Sequence, residues 1–201
     1  MITVERNGAL MVLRLARPEK ANALTEAMLH SLAEAVTAAR DARALILTGE
    51  GRVFSAGADL DAMRDGLATS PHWERLSGAL AAFPGLSIAA LNGTLAGGAF
   101  GMALACDLRI AVPEARFFYP VMKLGYLPQP SDPRRLAALV GPARARMILM
   151  AGARIGTDEA LAWGLIDRIT PAETLMDSAR ALCADVLTAP SGHVTAIKRM
   201  I

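Results

Sequence analysis

The sequence predicts a layered α/β domain, and three observations carry that reading. Short, almost wholly apolar runs recur at residues 44–48, 87–91 and 108–112, the pattern of strands covered on both faces. The first two runs each lead into a glycine-bearing turn and then a helical pattern, so strand–turn–helix units follow one another. The composition, 53% hydrophobic but only 4% aromatic, suits alanine- and leucine-rich helices packed closely on strands.

Taken in order, residues 2–5 and 9–15 alternate and read as strands joined by Arg6-Asn7-Gly8, a hairpin signal. A loop over residues 17–24 precedes a helix at 25–40, where Met28, Leu29, Leu32 and Val36 share one face. The strand at 44–48 runs into a glycine-bearing turn at 49–60. Ser70-Pro71 predicts a helix start, with the serine as cap and the proline in the first turn, and the helix extends to residue 83. The strand at 87–91 is followed by a turn at 92–98 and a helix at 99–105, and the strand at 108–112 comes next. Beyond Tyr119, the prolines at 120, 128, 130 and 133 stiffen a loop that leads to Asp132-Pro133, a second cap-plus-proline start. Gly141-Pro142 separates two helices, Gly152 ends the second, and Thr157 caps a short helix that Gly164 stops. An edge strand at 165–169 and a helix at 172–187 complete the reading. No flexible linker interrupts it.

Several function classes are disfavoured. Net charge is +2, from 21 basic and 19 acidic residues spread along the chain, which gives no strong field for polyanions. Single-strand nucleic-acid readers also want more stacking aromatics than this chain has. Cys106 and Cys183 stand apart and imply neither a disulfide framework nor a zinc site, in keeping with a reducing, cytoplasmic setting. His30, His72 and His193 are scattered, so no metal site is expected. The N-terminal segment alternates and carries charge, unlike a signal peptide, and no apolar stretch approaches a membrane span.

Two segments could carry chemistry. Gly97-Gly98 opens a helix straight after a strand, where the first N–H groups lack partners and the helix dipole favours negative charge. Glycines at such a place serve close helix–sheet packing equally well. Ala56-Gly57-Ala58-Asp59-Leu60 is a second turn able to expose N–H groups. A pair of donors drawn from two turns would make an oxyanion hole.

The residues in these segments resemble a known family. Phe54-Ser55-Ala56-Gly57-Ala58-Asp59-Leu60 and the run from Asn92 to Leu108 are similar to the two signatures of the crotonase, or enoyl-CoA hydratase/isomerase, superfamily. Arg17-Pro18, Asn22-Ala23-Leu24, Leu124-Gly125, Arg135-Leu136 and the segment from Ala160 to Asp167 match in the same order. The resemblance implies a crotonase-like spiral of β-β-α units over residues 1–140 and a helical C-terminal region over 141–201, shorter than is usual for the family. It implies an acyl-CoA thioester as ligand, with coenzyme A present only as part of the substrate, a place in fatty acid metabolism, and assembly as a homotrimer or hexamer. It places the oxyanion N–H donors at Ala58 and Gly98. It places substrate contacts at Lys20, Ala21, Ala23, Ala56, Asp59, Leu60, Asp61 and Gly97, with the Ala56 carbonyl toward the adenine and Lys20 toward phosphate.

Departures from the family pattern matter more for the reaction. Hydratases of the family carry glutamates at the positions of Gly101 and Val121, and neither residue here can move a proton. Tyr119, Tyr126 and Asp132 remain as candidate acids or bases near the expected pocket. Each has a plainer reading: Asp132 as the cap of its helix, the tyrosines as packed rings with bonded hydroxyls, and Asp59 as an acceptor within its own turn. His72 beside Trp73 is either a surface histidine or a mobile acid. Two readings stay open on the sequence. One is an enzyme of the lyase or isomerase class working through an enolate-type intermediate but not as a standard hydratase; the other is a non-catalytic acyl-CoA binder.

Overall fold

The computed structural model describes residues 1–190 and 192–201. From the N-terminus the chain forms β1 (Ile2–Asn7), β2 (Leu10–Leu15), α1 (Glu26–Ala38), β3 (Ala44–Gly49), β4 (Val53–Ser55), α2 (Leu60–Arg64) and α3 (His72–Ala81). A second passage gives β5 (Leu86–Leu91), β6 (Thr94–Ala96), α4 (Phe100–Leu104), β7 (Leu108–Ala111) and β8 (Arg116–Phe118). The remainder is α5 (Val121–Leu124), α6 (Asp132–Val140), α7 (Pro142–Leu149), β9 (Ile155–Gly156), α8 (Thr157–Trp163), β10 (Arg168–Ile169), α9 (Leu175–Leu182), α10 (Ala184–Thr188) and α11 (His193–Lys198).

Two sheets result. The larger runs in the order β1-β2-β3-β5-β7-β10, with β1 antiparallel to β2 and every later pairing parallel. The smaller runs β4-β6-β8-β9, parallel except for the β8–β9 pair. The pairs β3/β4, β5/β6 and β7/β8 therefore place one strand in each sheet before the chain turns into a helix, which is the β-β-α rhythm. β3 is buried along its whole length, as expected of a parallel strand covered on both faces. α1 starts where Thr25 caps it, its Oγ1 accepting from Met28 N at 3.3 Å. The face it buries is Met28, Leu29, Leu32, Ala33 and Val36.

The smaller sheet was not legible at the residue level, because strands of two or three residues carry no measurable period. The helix α2 was read as turn, and it buries none of its residues. Two features of the C-terminal helices differ from expectation. Thr157 is the first residue of α8 rather than its cap, because its hydroxyl donates to the Val112, Pro113 and Ala115 carbonyls at 3.3, 2.7 and 3.2 Å. The helix expected at 172–187 breaks at Cys183 into α9 and α10.

The C-terminal elements are bolted to the sheet by Arg109 of β7, which is 3% exposed. Its guanidinium donates to the carbonyls of Leu165, Cys106 and Asp107 at 2.9, 2.7 and 3.3 Å, and faces Asp167 at 3.4 Å. A buried cation satisfied this way fixes where α8 and β10 dock. Among the described residues no helix is long and apolar enough to cross a membrane.

Candidate functional site

β4 and β6 are parallel neighbours, so the turns at their C-terminal ends emerge side by side. Each turn holds a glycine in the left-handed region, Gly57 at φ +94° and Gly97 at φ +56°. The two backbones touch: a Cβ added to Gly57 would stand 2.9 Å from the Ala96 carbonyl oxygen, and one on Gly97 would stand 3.7 Å from the Gly57 Cα. The residues after these glycines are Ala58 and Gly98. Among the described residues neither N–H donates to the backbone of another element. The Trp73 ring closes over Gly98, 3.1 Å from where a Cβ would sit, and its Nε1 is tied to the Leu67 carbonyl at 2.8 Å.

The first turn is held from behind by Asn22. This residue is fully buried, and it and Ala21 both adopt left-handed backbone, at φ +52° and +49°. Its Nδ2 donates to the carbonyls of Glu50 and Val53 at 2.9 and 2.7 Å, while its Oδ1 accepts from Arg17 N at 2.9 Å. Ser55 Oγ donates to the Asn22 carbonyl at 2.8 Å and Ala56 N to that of Ala21 at 2.9 Å. Leu24 N then donates to Gly57 O at 2.8 Å and Asp59 N to Leu24 O at 2.9 Å, which straddles Ala58 and leaves its N–H free. Asp59 caps α2: its Oδ1 accepts from Asp61 N and Ala62 N at 3.0 and 3.2 Å. Its Oδ2 takes the Arg17 guanidinium at 2.7 Å, and that bond first, with the backbone donors, holds the carboxyl below the usual carboxylate range.

A cavity of about 130 Å³ opens over these turns. Of the residues singled out in the sequence, Ala56, Ala58, Leu60, Gly97, Gly98, Tyr119 and Tyr126 line it. Lys20, Ala21, Ala23, Asp59, Asp61 and Asp132 do not. Lys20 is exposed at the end of a short 3-10 turn, Ala21 and Ala23 belong to the bracing loop, and Asp61 pairs with Arg64 at 3.0 Å in solvent. Trp73, Met63, Val121 and Gln129 also line the cavity and were not predicted as site residues. Trp73 belongs to the buried face of α3 and serves core and cavity together. His72 turns elsewhere, its Nε2 3.8 Å from Glu26 and its ring edge-on to His30 at 5.5 Å.

Asp132 does not cap α6. Ser131 occupies the cap position, and Asp132 is the first helical residue, with 1% of its surface exposed. Its Oδ2 accepts from the Tyr119 hydroxyl at 2.9 Å. Its Oδ1 has no hydrogen-bond partner among the described residues. That oxygen points at Gly101 of α4, where an added Cβ would stand only 2.8 Å away. Burial pushes the Asp132 carboxyl up to about 7; Glu74 adds to the rise, while the Tyr119 bond and Arg135 act against it. Burial, and next Asp132, push the Tyr119 hydroxyl well above its ordinary value.

The loop that carries this pair is anchored at several points. Ser131 N and Oγ donate to Glu74 Oε1 at 3.1 and 2.9 Å, and Gln129 Nε2 donates to the Ala68 carbonyl at 3.0 Å. Tyr119 stacks on Phe100 with centroids 5.4 Å apart. The cysteines play no part: burial pushes Cys106 up to about 12 and Cys183 up to about 11, so neither offers a thiolate near neutrality. Chemically, the arrangement offers two backbone donors at one small cavity with apolar walls, and a lining tyrosine whose hydroxyl bonds a buried carboxyl.

Comparison with known proteins agrees in sequence and in shape. A profile of the enoyl-CoA hydratase/isomerase family matches residues 5–201. A probable enoyl-CoA hydratase of Mycobacterium tuberculosis is 36% identical over 188 residues, covering 92% of this chain and 76% of the relative. A carnitinyl-CoA dehydratase of Salmonella enteritidis is 36% identical over 205 residues, covering 97% and 77%. Among solved structures, an enoyl-CoA hydratase subunit from Geobacillus kaustophilus superposes with a TM-score of 0.90 at 34% identity, over 98% of this chain and 79% of that one. An enoyl-CoA hydratase/isomerase from Pseudoalteromonas atlantica gives 0.92 at 29%, over 99% and 81%.

Proposed function

The chain belongs to the enoyl-CoA hydratase/isomerase family, and we propose that it binds an acyl-CoA thioester with the carbonyl oxygen between the N–H groups of Ala58 and Gly98. The observation that carries the reading is the pair of turns held in contact by Gly57 and Gly97, each followed by an unengaged N–H in the wall of one cavity. Two preorganised donors in a water-poor site stabilise charge that develops on a thioester oxygen, so the site favours an enolate-type intermediate. The loop of Lys20, Ala21 and Ala23, with Ala56, would meet the coenzyme portion. The two relatives described above are named for reactions of CoA thioesters, in keeping with that ligand.

The reaction is not ordinary hydration. Adding water across a double bond takes one group to deliver the oxygen nucleophile and another to protonate carbon, and Gly101 and Val121 supply neither. The experiment is calorimetric titration with acetyl-, butyryl- and crotonyl-CoA beside free coenzyme A, followed by a hydration assay on crotonyl-CoA. Binding should depend on the acyl group, and hydration should stay far below the ordinary enzyme range of about 1–10³ s⁻¹. Equal affinity for free coenzyme A, or hydration within that range, would refute the reading.

A further inference from the structure

We propose that Tyr119 is the proton-transfer residue of this site and that Asp132, lying behind it, acts through it as a positioning residue and proton store. The inference rests on the thioester reading above and adds the residues that move the proton.

Three observations on the geometry converge. Tyr119 lines the cavity together with Ala58 and Gly98, so it stands beside the space in which a thioester would lie. That hydroxyl donates to Asp132 Oδ2 at 2.9 Å and accepts from Gln129 N at 3.4 Å, which orients it from two sides. The second Asp132 oxygen is buried and unpartnered among the described residues, and it fills the space over Gly101 into which a side chain at that position would have to project. An orphaned buried carboxylate oxygen is costly, on the order of 1–3 kcal/mol or more, and a packing role does not account for it. The carboxyl stands behind Tyr119 from α6, whereas the sequence pattern of the family looks for a carboxylate on α4.

The step balances without another reactant. The C–H bond next to the thioester carbonyl breaks, its electron pair forms the enolate double bond, and the carbonyl π pair moves to the oxygen between Ala58 and Gly98. The substrate proton goes to the Tyr119 oxygen while the Tyr119 proton passes to Asp132 Oδ2, so no free phenolate forms. Reversal returns a proton to the same carbon or, in an unsaturated acyl group, to a carbon further along. One acid/base group suffices for such exchange or for a double-bond shift, and two would be needed for hydration. The charged groups facing Asp132 are Glu74 of α3, which opposes its ionisation, and Arg135 of its own helix, which favours it; Tyr119 is the titratable group in contact. Because Asp132 acts as base when ionised, exchange should rise with pH through about 7.

The test is deuterium uptake by butyryl-CoA in D₂O, followed by mass spectrometry across a range of pD, with binding of butyryl-CoA measured on the same samples. Wild-type protein should exchange the protons next to the carbonyl, and Tyr119→Phe should lose about 10²–10⁴-fold in rate with binding retained. Asp132→Asn should lose the inflection near neutrality, a change that a merely structural aspartate would not produce. If Asp132→Asn fails to fold, Glu74→Gln, which removes the nearby negative charge, should move the inflection to lower pH. Failure to bind butyryl-CoA overturns the thioester reading and the relay with it. Binding without exchange, or exchange unchanged in Tyr119→Phe, overturns the relay alone and leaves a binding protein.

Discussion

Gly57→Ala is expected to slow ionisation of a bound acyl-CoA by about 10²–10³-fold, the range found when one oxyanion donor is removed. Gly57 sits at φ +94°, where an alanine is strained, and its new methyl would press on the Ala96 carbonyl oxygen at 2.9 Å. That neighbour is backbone and is tied into the pairing of β4 with β6 and β8, so the turn carrying Ala58 must give way. The displacement is local. Ala58 N–H would tilt from the cavity while Trp73, Tyr119 and the hydrophobic core keep their places. The measurement is deuterium uptake in parallel with thermal unfolding. An unchanged rate in a folded Gly57→Ala protein would mean that the Ala58 donor is not used.

Asn22→Ala should instead fail in stability. The substitution leaves the Glu50 and Val53 carbonyls and the Arg17 N–H without their side-chain partner and places alanine at φ +52°. Unsatisfied buried groups cost about 1–3 kcal/mol each, and left-handed backbone a further 1–2 kcal/mol or so for a residue other than glycine or asparagine. Even at the low end of each range the total is about 4 kcal/mol, which corresponds to a fall of roughly 8–16 °C in Tm for a chain of this size. Thermal unfolding followed by circular dichroism reads it directly. A shift below about 2 °C would show that the bracing loop is supported by something other than Asn22.

The contrast between these two positions shows what was legible in the sequence. The Gly57-Ala58 and Gly97-Gly98 turns were readable because glycine between a strand and a helix signals close backbone approach, and both line the cavity. The buried strands β3, β5 and β7 were readable from apolar runs, and α1 from its 3.6 period. The smaller sheet was not, since β4, β6, β8 and β9 are too short to show alternation. Asn22 gave little hint of its weight, because its three side-chain partners, Arg17, Glu50 and Val53, lie up to 31 residues away.

Asp132 illustrates a different limit. Local chemistry makes Asp-Pro at a helix start look like a cap, and proximity in sequence says nothing of Gly101 or Tyr119. In the folded chain Tyr119 takes the carboxylate, Ser131 takes the cap position and bonds Glu74, and the missing side chain at Gly101 leaves the space that Asp132 fills. A tertiary competitor outbid the local hydrogen bond. Thr157 departs from its expected cap for the same reason, drawn to three carbonyls at the end of β7 and beyond.

The central claim is that a thioester oxygen sits between the N–H groups of Ala58 and Gly98, and infrared difference spectroscopy with a carbonyl-¹³C-labelled butyryl-CoA tests it most directly. Hydrogen bonds from two fixed donors polarise the carbonyl, so its stretch should move to lower frequency on binding and move back in Gly57→Ala. A bound carbonyl that vibrates as it does in water, with wild type and Gly57→Ala alike, would contradict the account.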